Sequence, residues 1–132
     1  MKASTFHYKI LLLAMLTALP GAAQAQSGCY FSGAWPRTLE GRLDAVRFKE
    51  KGGVMETALI LRLANFACLQ ASYEGPGVKG TRRIHVVGSN ETIQKQLQDM
   101  AGKPAVLTGE IMARHEPHHR APIILNVTSV AK

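Results

Sequence analysis

The sequence is poor in aromatic side chains, at 6% of 132 residues, and in acidic ones, with 9 Asp and Glu against 16 Lys and Arg. It holds only 2 cysteines, and it has no internal repeat, low-complexity tract or linker-like stretch. No apolar run reaches the roughly 20 residues that a helix needs to cross a bilayer. One domain is therefore expected, and a membrane-spanning helix in the mature chain is not. Hydrophobic residues at 46%, charged residues at 19% and 12 glycines exclude disorder, coiled coil and collagen. No G-x-S-x-G nucleophile elbow occurs, and the carboxylates alternate along strand-like segments instead of converging. The chain is not expected to be an enzyme.

What is present begins with an address. Lys2 and Lys9 give a positive start, residues 10–19 are apolar, and Ala22-Ala23-Gln24-Ala25 ends in the A-x-A pattern that signal peptidase accepts. Residues 1–25 read as a cleaved export signal, and residues 26–132 as one small domain in the periplasm or outside the cell. That mature chain keeps 14 basic and 9 acidic residues, a net charge of +5. A mild positive excess favours lipid head groups, cell-wall polymers or an acidic protein face, with a merely soluble basic surface as the alternative. Two cysteines in an exported chain pair most simply with each other, and a Cys29–Cys68 bridge would add on the order of 3–4 kcal/mol. Lipidation of Cys29 is the rival reading. Gln26 stands where that processing wants leucine, and Cys68 would be left unpaired.

Period-two alternation places strands at residues 37–48, 54–63, 82–87, 104–113 and 122–130. Leu39, Leu43, Leu59, Leu61, Ile123, Leu125 and Val127 share one inward phase. Gly41 and Gly109 fall mid-strand, as strongly coiled strands require. Residues 73–80, with three glycines and a proline, read as a loop. Residues 91–101 form the one helix, capped by Ser89 or Asn90, with Ile93, Leu97, Met100 and Ala101 on one face and Gly102 as its terminator. The result is a mainly β chain, a five-stranded OB-fold-like barrel with one helix between strands 3 and 4. An open α+β sandwich is the alternative.

Residues 115–119 gather His115, Glu116, His118 and His119 in one turn flanked by Arg114 and Arg120. Imidazoles at this spacing suit a divalent transition metal, with His115, His118 and His119 as candidate ligands, although Glu-Pro inside the turn prevents helical spacing. The alternative is structural, one histidine packing across the barrel end. Arg82 and Arg83 suit a phosphate or simply a solvated edge. No aromatic lies between Val54 and Leu63 or between Arg82 and Val87, which with export argues against nucleic acid. Tyr30, Phe31 and Trp35 are expected to cover a barrel end.

The stretch Gly102-Lys103-Pro104-Ala105-Val106-Leu107-Thr108-Gly109-Glu110, followed by His118-His119-Arg120-Ala121-Pro122-Ile123-Ile124-Leu125-Asn126-Val127, resembles a family of small exported bacterial domains, domain of unknown function 4431. Leu39, Gly41 and Leu43, and Leu61, Leu63 and Cys68, are similar to its earlier strands. The resemblance implies a bacterial envelope protein and carries no activity with it. The function expected is therefore a non-enzymatic binding module for an envelope protein or glycan, acting through barrel-end loops and the turn Arg114, His115, Glu116, His118, His119 and Arg120. An inhibitor or immunity protein against an envelope-directed toxin is one alternative, and metal binding at the turn is another. The turn itself is expected to be dispensable for folding.

Overall fold

The computed structural model describes residues 29–132 apart from Glu74. The export signal and its cleavage site lie outside the described residues. Five strands, β1 (Gly33–Lys49), β2 (Met55–Leu69), β3 (Val78–Gly88), β4 (Pro104–Ala113) and β5 (Ile123–Val130), are joined by one helix, α1 (Glu91–Asp99), between β3 and β4. They close into a ring in the order β1-β2-β3-β5-β4, with β4 paired back onto β1. Among these five strands only the β3–β5 pairing is parallel. This is the OB-like connectivity expected from the strand order.

The ring closes at two residues of β1. Gly41 is partnered with Leu63 of β2 and Ala105 of β4, and Arg42 with Arg62 and Pro104, so the strand changes neighbours there. A Cβ on Gly41 would collide with the Arg62 carbonyl, and one on Gly109 with the Asn126 carbonyl. Both glycines let strands approach more closely than any side chain allows. The inward phase supplies the core: Leu43, Leu61, Ile84, Leu107, Ile111, Ile123, Leu125 and Val127 are fully buried. Asn90 caps α1 by accepting from the Ile93 N–H at 2.9 Å, and Leu97 drives into the barrel base. Gly102, at φ +85°, reverses the chain so that its N–H donates to the Leu43 carbonyl.

Three strands are longer than alternation indicates, β1 starting at Gly33. β2 runs on to Leu69 and β3 starts at Val78, inside the segment read as a loop. The pairs Ala67↔Thr81 and Leu69↔Val78 form across register shifts, and Ala67 and Leu69 are buried. Irregular pairing tolerates the glycines that break strict periodicity. The disulfide joins Cys29 to Cys68 at a Cα separation of 4.6 Å, which engages the Cys29 sulfur. Of the three aromatics expected to cover a barrel end, Tyr30 packs against the core, whereas Phe31 and Trp35 are exposed. The backbone bonds of Tyr30 to Cys68 and Gln70 hold it against β2 and leave its neighbours outside.

The barrel has a second apolar layer, on its outside. Residues 58–61 of β2 and 123–125 of β5 are buried on both faces. The outward set is Ala58, Ile60 and Ile124, joined by Ala121, and all of them stand outside the barrel core. His85 of β3 is the register partner of both Ile60 and Ile124. The chain between β4 and β5 folds back over this patch and dries it. Replacing Leu61 or Ile60 by Ala should each cost roughly 2–5 kcal/mol in denaturant unfolding, although the two point to opposite sides of the sheet. A loss at Ile60 within the ~0.5 kcal/mol of a surface substitution would show that the outer layer is not packed.

Candidate functional site at the barrel end

The segment linking β4 to β5 is closed at its base by the Arg114 N–H, which donates to the Pro122 carbonyl at 2.9 Å. His119 sits inside the turn, 5% exposed. Its Nδ1 accepts the backbone N–H groups of His115 (3.3 Å) and Glu116 (3.2 Å), so the ring ties the turn together. His115 and His118 stack edge-on against it, with centroids 4.6 and 4.8 Å away. The next residue carries the link to the barrel. The Arg120 N–H donates to His85 Nδ1 at 3.0 Å, and His85 is 7% exposed. Burial, reinforced by the charges of His119 and His118, pushes the His85 pKa down to about 4. Burial, then His115 and His118, also lowers that of His119. Both rings are thus held neutral, each with Nδ1 as the acceptor.

The Arg120 side chain reaches the β1–β2 hairpin. Its Nη2 lies 3.3 Å from Glu50 and 3.5 Å from Glu56, and its guanidinium lies over the Phe48 ring at 5.2 Å. Glu50 hydrogen-bonds to the Glu56 carboxyl, which holds Glu50 above the usual carboxylate range and Glu56 below it. The remaining turn residues face solvent. Glu116 is the centre of that face: His118 Nε2 lies 2.7 Å, His115 Nε2 3.7 Å and His119 Nε2 3.9 Å from its carboxylate. Arg114 is exposed beside them.

Residues 115–119 carry the letters of H-E-x-x-H, whose chemistry needs two histidines projecting from one face of a helix. Here the segment is a turn around Pro117. His119 directs Nδ1 at the backbone, so the helical zinc-protease arrangement is not formed.

The starts of β1 and β3 and the ends of β2 and β4 make the barrel end remote from α1. A groove of about 470 Å³ separates Ser32, Gly33, Gly75 and Pro76 from Arg114 and His115. Exposed aromatics are concentrated in the segments the disulfide ties: Phe31 (61% exposed), Trp35 (79%), Phe66 (76%) and Tyr73 (98%). A second groove, of about 780 Å³, is walled by Tyr30, Arg42, Arg62, Phe66 and Arg82. Arg82 lies over the Phe66 ring at 5.9 Å, and its Nε donates to the Leu63 carbonyl. Phe66 escapes a reading that ends the second strand at Leu63, so β2 does present one aromatic outward. Glu50, Glu56 and His85 are also invisible locally, because their partners are up to 70 residues away.

Residues 83–131 match the family model described as Domain of unknown function (DUF4431). The match begins within β3 and contains His85, the whole turn and β5. No curated protein matches the chain. The turn has two halves that answer differently to mutation. His119→Ser removes a buried ring and leaves the part-buried N–H groups of His115 and Glu116 without their acceptor, and it should cost about 1–3 kcal/mol. His115→Ser and His118→Ser should each stay within about 0.5 kcal/mol of the parent. Equal losses at all three positions in chemical denaturation would contradict this division.

Proposed function

We propose that the mature chain is an exported, non-catalytic binding module that holds an acidic protein surface against the barrel end remote from α1. The observation that carries this reading is the exposure of Phe31, Trp35, Phe66 and Tyr73, all within seven residues of a cysteine of the disulfide. Large exposed aromatics cost solubility and are retained where a partner covers them. Aromatic side chains with arginines beside them are also the composition of protein-interface anchors.

Charge supports the same choice. Arg42, Arg62 and Arg82 line the groove against one carboxylate, Glu40; Arg62 and Arg42 share Asp44, at 2.6 and 3.2 Å, and Arg82 rides on Phe66. A net charge of +5 on the mature chain steers an acidic partner toward it. The disulfide suits an oxidising compartment. No helix among the described residues is long and apolar enough to cross a membrane. An inhibitor or immunity protein, which works by covering another protein's surface, is one form this module takes under the same reading.

The test uses the mature, disulfide-bonded chain on a resin, exposed to detergent-solubilised envelope from the source cell. The parent should retain a discrete protein that salt near 0.5 M releases, screening being nearly complete there. A Phe31→Ser, Trp35→Ser, Phe66→Ser variant should lose that protein while keeping the parent's melting temperature within a few degrees. Retention unchanged in the variant, or retention of polysaccharide alone, would overturn the proposal.

A further inference from the structure

We propose that the turn after β4 is a divalent transition-metal site in which His115, Glu116 and His118 are the ligands, while His119 is the residue that holds the turn around them. The proposal is independent of the aromatic surface. It rests on which ring nitrogens are already in use.

Glu116, His118 and His119 form a group whose ligand atoms lie within 4.8 Å of one another, and His115 stands beside that group with its Nε2 3.7 Å from Glu116. The His119 Nδ1 lone pair, however, receives the N–H groups of His115 and Glu116. A backbone N–H can only donate, so the proton of the neutral ring sits on Nε2. That nitrogen has no lone pair to give a metal ion. His115 is the reverse case. Its Nδ1 lies 3.1 Å from the Ala113 carbonyl, which can only accept, so Nδ1 carries the proton and Nε2 keeps its lone pair. The free Nε2 faces Glu116 at 3.7 Å. Metal-binding histidines are held in this way, the far nitrogen donating to a carbonyl that fixes the tautomer and raises ligand basicity.

His118 completes the set. Its Nε2 is 2.7 Å from Glu116 Oε2, and because no backbone N–H is bonded to its Nδ1, unlike that of His119, the ring can carry its proton on Nδ1 once a metal ion displaces the proton at Nε2. All three ligand side chains are about half exposed and free to adjust, whereas the turn beneath them is fixed by the buried His119. Two imidazoles and one carboxylate are a donor set for Zn(II), Ni(II) or Cu(II), with a fourth position left to water or to an incoming group.

Zinc chloride alone, titrated calorimetrically into the mature protein, tests the assignment. The parent should bind one equivalent. His115→Ala, Glu116→Gln and His118→Ala should each weaken binding at least about tenfold. His119→Asn places an amide oxygen near the position of Nδ1 and removes Nε2, and it should stay within about threefold of the parent. In the unmutated protein, ring nitrogen NMR at zinc saturation should shift His115 Nε2 and His118 Nε2 and leave His119 Nε2 protonated. A dissociation constant weaker than about 1 mM in the parent, zinc binding unimpaired in His115→Ala, or a metal-shifted His119 Nε2 would each overturn the proposal.

Discussion

The Arg120 N–H bonded to His85 Nδ1 is the point at which the connection between β4 and β5 meets the barrel wall. On one side of that bond, His119 and Ala121 are buried, as are Ala58, Ile60 and Ile124 on the outer face, and the His119 ring meets that of His85 edge-on. On the other, the Arg120 guanidinium bridges to Glu50 and Glu56 on the hairpin between β1 and β2. A five-stranded barrel of this size encloses a small core, and small cores leave domains marginally stable. Drying the outer face of β2, β3 and β5 adds a second apolar layer to a sheet that otherwise buries one. The neutral His85 is the condition for it. A protonated ring would lose the Nδ1 acceptor and place a charge between two buried isoleucines.

Much of the barrel is legible in the sequence because its physical cause is local. The inward leucines and isoleucines repeat at every second residue, the helix has its own cap and terminator, and Gly41 and Gly109 mark where strands must approach closely. The pairing of Cys29 with Cys68 follows from parity and compartment. What is not legible has non-local causes. β2 extends to Leu69 and β3 starts at Val78 because each supplies the other's irregular partner, which neither segment announces alone. The unbroken runs 58–61 and 123–125 carry a signal, since strands buried on both faces lose their alternation. It does not say what covers the outer face.

The turn shows the same division at the scale of one site. Composition draws attention to His115, Glu116, His118 and His119 together, yet the structure separates them by role. His119 spends its Nδ1 on the backbone, whereas His115 and His118 present their far nitrogens to Glu116. No spacing rule distinguishes them, because tautomers are set by the hydrogen bonds a ring makes and not by its position in the chain. Phe66 is a similar case. Its exposure depends on the bulged register opposite Thr81, so the aromatic surface around the disulfide becomes visible only once β2 is known to continue past Leu63. The barrel and the turn pinned by His119 are thus the scaffold, and the exposed side chains they carry are what the proposed recognition uses.

The central claim is that the turn docks on the outer face through a neutral His85, and the ring's own titration tests it most directly. A group whose folded pKa of about 4 lies below its ordinary 6.5 binds fewer protons folded than unfolded across that interval. Its contribution to stability is therefore complete above pH 6.5 and is lost as the pH falls toward 4. Following the histidine ring protons by NMR from pH 8 to pH 3.5, the account predicts that the His85 resonance stays at its neutral position until near pH 4. A His85 that titrates at the ordinary value near 6.5, with the fold intact, would contradict it.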